Sequence, residues 1–169
     1  MTVERTTEDA WKLLDVVVGW VKHAEAKAVA TLAAAGVIGG LLYNVVRSEP
    51  KPSFPLDACA ALCGILVLVA AVCSACALWP RLRLSGTSRS LLYFAHIARD
   101  HEKDEGAYVE AFRTLADDQD KMLGQLASQI WSNSRVATQK YWWSNLALVA
   151  LLLSVGTIAS TAGLAFLES

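Results

Sequence analysis

Charged side chains are missing from three long stretches of this chain. Ala28–Val46, Ala58–Trp79 and Leu146–Leu167 contain no Asp, Glu, Lys or Arg. An uncharged apolar run of about 18 residues or more is long enough to cross a hydrocarbon core about 30 Å thick. An ordinary soluble domain is thereby excluded. A basic surplus is also missing: fifteen Lys and Arg face sixteen Asp and Glu, for a net charge of −1. That balance argues against a nucleic-acid partner. Histidine is scarce, and the three present (His23, His96, His101) are scattered among charges, which is no metal centre. There is no P-loop, H-E-x-x-H, nucleophile elbow or Gly-rich phosphate loop, so neither an enzyme nor a cofactor is expected. No ionisable residue lies deep in a span, which removes the usual mark of a proton relay, pump or coupled transporter. The charged first 27 residues lack the short apolar core of a cleavable signal.

What remains is a 169-residue chain, 54% hydrophobic, with a mean hydropathy of +0.38. The expected fold is all-α: an integral membrane protein with three transmembrane helices and a cytoplasmic helical segment. The expected parts are a cytoplasmic amphipathic helix (1–27), a transmembrane hairpin (28–79) with an outer loop at 47–55, a cytoplasmic helical segment (80–145), and a third transmembrane helix with a short outer tail (146–169). Three of the four prolines fall in the loop, as a tight turn between antiparallel spans requires. All but two of the fifteen basic residues lie before the first span or between the second and third, Arg81 and Arg83 among them. By the positive-inside rule the N-terminus and the 80–145 segment are cytoplasmic and Ser169 is outside. All four cysteines lie in the second run, where C-x-x-C at Cys73 and Cys76 reads as metal or redox chemistry, or as small packing residues in a lipid-embedded helix.

Along residues 7–27, Ala10, Leu14, Val17, Val18 and Val21 share one helical face opposite Glu8, Lys12, Asp15 and Lys22, with Thr6 or Thr7 as a cap. Glu25 interrupts the apolar face at the edge of the bilayer. It either finds a cation or reaches for headgroups and water. Lys140, equally close to the third span, is the expected partner, and exchanging the two residues should restore what either single change loses. Ser88 or Ser90 can cap a helix holding Leu91, Leu92, Phe94, Ala95 and Ile97. After a charged break at 101–106, Tyr108, Ala111, Phe112 and Leu115 form a second apolar stripe. From about Asp118 a single helix should run on into the third span. Its Gln129, Asn133, Val136 and Lys140 either read a ligand or face water. Gly36 and Gly40 form a G-x-x-x-G pair suited to helix association. Ser154, Thr157 and Thr161 share a face that either lines water in an assembled pore or bonds back to its own helix.

Several short segments, in order, resemble one family. Ala24-Glu-Ala-Lys-Ala28 is similar to an A-D-x-K-A pattern, with Glu25 where Asp is usual. Leu78-Trp-Pro80, Tyr93-Phe-Ala-His-Ile97, Gln129-Ile130, Ser134-Arg-Val136 and Lys140-Tyr141 follow. Together they resemble the Pycsar transmembrane effectors of bacterial cyclic-nucleotide antiphage systems. The resemblance implies a homo-oligomeric inner-membrane protein paired with a pyrimidine cyclase. That cyclase makes cyclic CMP (cCMP) or cyclic UMP (cUMP) during infection. The nucleotide triggers the effector, the membrane is compromised, and abortive infection follows. The sequence holds no separate β-barrel nucleotide-binding domain, so the ligand is read by the cytoplasmic helices or by another protein. Arg135, Arg99 and Arg113 could meet its phosphate, and Tyr108 and His96 its ribose or base. The alternative function is a non-enzymatic membrane scaffold or subunit that anchors a cytoplasmic partner.

Overall fold

In a computed structural model, described over residues 2–48, 53–80 and 90–168, the chain forms five helices and, among the described residues, no strand. They are α1 (Thr2–Ser48), α2 (Phe54–Leu78), α3 (Phe94–Asp100), α4 (Glu105–Asp117) and α5 (Gln119–Glu168). Three of them are long and apolar enough to cross a membrane. Residues 49–52 of the proline-rich loop, Arg81, Arg83, Ser88 and Ser169 lie outside the described residues. Helix α1 starts at Thr2, so Thr6 and Thr7 sit inside it rather than capping it.

The chain divides into two compact units: Met1–Val21 with Pro80–Thr138, and Lys22–Trp79 with Gln139–Ser169. The second unit holds the apolar runs. Its buried residues follow a seven-residue repeat on every helix. On α1 they are Ala24, Ala28, Thr31, Ala35 and Ile38, alternately four and three apart. On α2, Leu56, Cys63, Ala70 and Ala77 are seven apart and fully buried. On α5, Lys140, Ser144, Ala147, Leu151, Ser154, Thr161 and Ala165 keep the same register. A 3.5-residue average period is the one that lets helices pack along their length in left-handed bundles. Most of these side chains are small. In lipid, where burial of apolar groups gives no advantage over the acyl chains, small residues bind helices by letting backbones approach closely. The large apolar side chains point outward instead: Val37, Ile65, Leu68, Val72, Leu152 and Leu153 are exposed, as a lipid-facing surface requires.

The first unit is built differently. Leu115, Met122 and Leu126 form its core, with Ala10, Leu14, Leu91 and Leu92 packed against them. Phe112 stays at the rim and partly exposed. Helix α4 is capped by Asp104, whose carboxylate accepts from Ala107 N at 2.8 Å. Asp118 ends α4 and opens α5, accepting from Lys121 N at 3.0 Å. The Lys121 ammonium lies 2.7 Å from the same carboxylate, and its hydrogen bond holds the Asp118 carboxyl below its ordinary range. The expected helix after Ser90 begins later than its apolar pattern suggests, at Phe94. Leu91 N is taken by Gln125 Oε1 at 3.0 Å and Leu92 N by Ser90 Oγ at 3.2 Å, so these amides are held in a turn.

Candidate functional site

Two polar clusters stand out, one in each unit. In the first unit Ser90 is a buried hub. Its backbone N–H donates to His96 Nδ1 at 3.1 Å, and its hydroxyl bonds Gln125 Oε1 at 3.3 Å. Gln129 Nε2 donates to the same hydroxyl at 3.0 Å. Tyr108 closes the cluster by donating its phenol to Leu91 O at 3.3 Å. The turn at 90–93 is therefore bonded to α3, α4 and α5. Because His96 Nδ1 accepts, the ring proton of its neutral form sits on Nε2. Two of the residues expected to touch a ligand, His96 and Tyr108, thus carry structural bonds. Gln129, expected on a ligand-reading or solvated stripe, is bonded within the protein instead. Gln125 was not singled out from the sequence, where a polar residue on a long helix carries no mark of its partner.

The three arginines expected near a phosphate sit on three different helices. Arg99 Nε pairs with the adjacent Asp100 at 2.8 Å, and that hydrogen bond raises the already high pKa of its guanidinium. Arg113 lies 3.9 Å from Glu110 on an exposed face. Arg135 has no carboxylate within 4 Å among the described residues; its guanidinium lies over the exposed Trp131 ring, 5.0 Å from the centroid. An open groove of about 400 Å³ lies elsewhere in this unit, lined by Thr7, Glu8, Trp11, Ala116, Gln119 and Met122. Its one charged lining residue is Glu8, held ionised by a hydrogen bond from Lys12, which suits no anion.

The second unit contains a buried cation. Lys140 is 4% exposed. Its ammonium lies 2.9 Å from Glu25 Oε1 and donates to Ala77 O at 2.7 Å. Ala77 is in the last turn of α2, where carbonyls have no amide four residues on and the helix dipole favours a cation. One side chain thus joins α1, α2 and α5. The heptad explains the placement: Lys140 stands on the inward seam of α5, one turn before Ser144. Nearby, Tyr141 lies between His23, at 6.4 Å ring to ring, and Lys27, 5.8 Å from its centroid. Exposed Trp79 and Trp142 flank this level, as aromatic belts do at a membrane edge.

Deeper in the bundle, Ser154 and Thr161 are fully buried within one chain. Ser154 donates to Leu151 O at 2.7 Å, Thr157 to Ser154 O at 3.0 Å, and Thr161 to Thr157 O at 2.8 Å. Of the two readings of this face, bonding back to its own helix is the one the geometry displays. Gly36 and Gly40 are exposed, and a methyl group added at either would meet nothing within 4 Å. On α1 the glycine that packs is Gly39, against Val67. The G-x-x-x-G pair therefore plays no part in packing this chain upon itself.

The Pycsar effector protein domain matches residues 9–167. The Pycsar effector protein PtPycTM of Propioniciclava tarda is 32% identical over 152 residues, covering 89% of this chain and 75% of that protein. No solved structure matches. With the match running through all three apolar helices and both polar clusters, the chain belongs to the Pycsar effector family, membrane proteins of bacterial antiphage defence.

Proposed function

We propose that this protein is a non-enzymatic effector that compromises the bacterial inner membrane when a cyclic pyrimidine nucleotide reaches it, killing the infected cell before phage mature. The observation that carries the reading is the family match over residues 9–167, which spans both the helical unit and the membrane-crossing bundle. The nucleotide, cCMP or cUMP, comes from a paired pyrimidine cyclase. Basic residues put the N-terminus in the cytoplasm and Ser169 outside. A reporter active only in the cytoplasm should therefore be silent at the C-terminus and active near Glu105; the reverse pattern would overturn this orientation.

Arg135 is the first residue we assign to the ligand. Arg99 and Arg113 already face carboxylates, whereas among the described residues Arg135 meets an aromatic face and no carboxylate. A phosphate could take the free edge of its guanidinium and a base could stack on exposed Trp131. Assembly into oligomers would use the outward face that carries Gly36 and Gly40. Inducing the protein with and without cCMP or cUMP while following membrane potential tests the reading. Depolarisation should require one of the two nucleotides. Arg135→Ala should weaken nucleotide binding by about tenfold, the loss of one charge-assisted bond. Arg99→Ala and Arg113→Ala should do less. Unchanged binding in all three variants would place sensing elsewhere. Leucine at both Gly36 and Gly40 should leave the monomer folded and remove crosslinked oligomers.

A further inference from the structure

We infer that the membrane lesion opens through the interior of the protein's own three-helix bundle, along a polar seam of Ser144, Ser154 and Thr161 on α5 with Cys63 and Ser74 on α2, closed at one end by Lys140. This rests on the reading that the protein compromises the membrane; what it adds is where water and small ions pass.

The bundle's lipid face carries most of the large aliphatic groups, while its interior is mostly alanine, serine, threonine and cysteine, interrupted by Leu56, Ile38 and Leu151. Two contacts fix the register of α2 against α5. Lys140 meets Ala77 O, and Cys63 Sγ donates to Ser154 O at 3.6 Å. The contacts are separated by the same length on both helices, about four turns, and the numbers run in opposite directions, so the helices are antiparallel. Ser74 and Ser144 then lie at about the same depth, one turn inward from the ammonium.

Those two serines are the telling feature. Both are fully buried, and neither hydroxyl has a hydrogen-bond partner among the described residues. Ser154, Thr157 and Thr161 resolve the same problem by bonding back to their own helix. Alanine, which fills neighbouring seam positions 77 and 147, would fit without an orphaned hydroxyl. Serine at 74 and 144 suits a second arrangement in which water reaches the seam and satisfies both groups. Most side chains along the path are small, and Leu151 and Ile38, packed beside Cys63, form the apolar constriction that the parting helices must clear before water passes. Lys140 holds the seam shut, because its two bonds join the three helices that must part.

The chain carries its own reporters. Cys63 is fully buried on the seam and Cys73 nearly so, while Cys59 is only partly buried. Cells expressing the full chain with Cys63 as the sole cysteine, or with Cys59 as the sole cysteine, would be exposed to a charged, membrane-impermeant methanethiosulfonate. Labelling of Cys63 should be negligible at rest and rise about tenfold or more once cCMP or cUMP depolarises the cell, since reaction follows exposure of the thiol. Depolarised cells in which Cys63 keeps its resting rate would overturn the inference, placing the lesion between copies or at the lipid face. Cells that neither nucleotide depolarises would count against the trigger, and the seam would then be read without it. Lys140→Met, and the milder Glu25→Gln, should leak and label at Cys63 with no nucleotide present. Variants that insert in the membrane yet stay tight and unlabelled would refute the path.

Discussion

Lys140→Met should destabilise the membrane-spanning bundle by about 2–3 kcal/mol, read as thermal unfolding of purified protein in detergent. The methionine keeps the length of the side chain and loses only the ammonium. Two groups are then left behind. Ala77 O, at the end of α2, has no other donor from its own helix, and Glu25 loses the cation 2.9 Å away. A fully buried pair would cost more, but the Glu25 side chain is 41% exposed and water screens its loss. Glu25→Gln should accordingly cost only about 1 kcal/mol, since the amide oxygen still accepts from Lys140. The exchange Glu25→Lys with Lys140→Glu separates these parts. Seen from the sequence, the exchange should restore whatever either single change loses. In the structure Lys140 also serves a carbonyl, and a carboxylate in its place would set acceptor against acceptor. The double variant should recover the ion pair but not the bond to Ala77, leaving it between wild type and the worse single variant. Full recovery would show that the carbonyl contact contributes nothing, and a Lys140→Met protein as stable as wild type would dismiss the whole clasp.

Leu126→Ala should have an effect of similar size in the other unit, about 2–5 kcal/mol, the usual cost of a cavity at a fully buried leucine. Leu126 packs with Leu115 and Met122 at the only sizeable apolar cluster among the described residues of that unit. Its neighbour Gln125 holds Ser90 and Leu91, so the loss should loosen the 90–93 turn as well. Hydrogen exchange is the suitable readout because opening there is local. Amides of α4, residues 105–117, should exchange about thirtyfold faster or more, while those of α2 keep their protection. Equal protection of α4 in variant and wild type would mean that this cluster does not hold the unit together.

The sequence by itself determined that the chain is a helical membrane protein. Missing charge is a direct statement about solvent: no other arrangement buries three uncharged runs of this length as cheaply as three helices in lipid. It also determined that Glu25 needs company, because a lone carboxylate on an apolar face at the bilayer edge is costly whatever the fold. The identity of a cation at matching depth could be read from distance to the spans. The family was readable too, from short motifs in fixed order. Backbone acceptors were not. Ala77 O is invisible in a sequence because every residue has a carbonyl, and only the end of a helix leaves one unbonded. Ser90 looked like a helix cap since its local pattern fits one; Gln125 and Gln129, far along the chain, decided otherwise. Gly36 and Gly40 looked like an interface because spacing shows that two residues share a face, not which way the face points. Ser154 and Thr161 shared that ambiguity. A heptad repeat tells how helices pack, but which stripe faces inward is settled by all three helices at once, and that is a property of the tertiary structure alone.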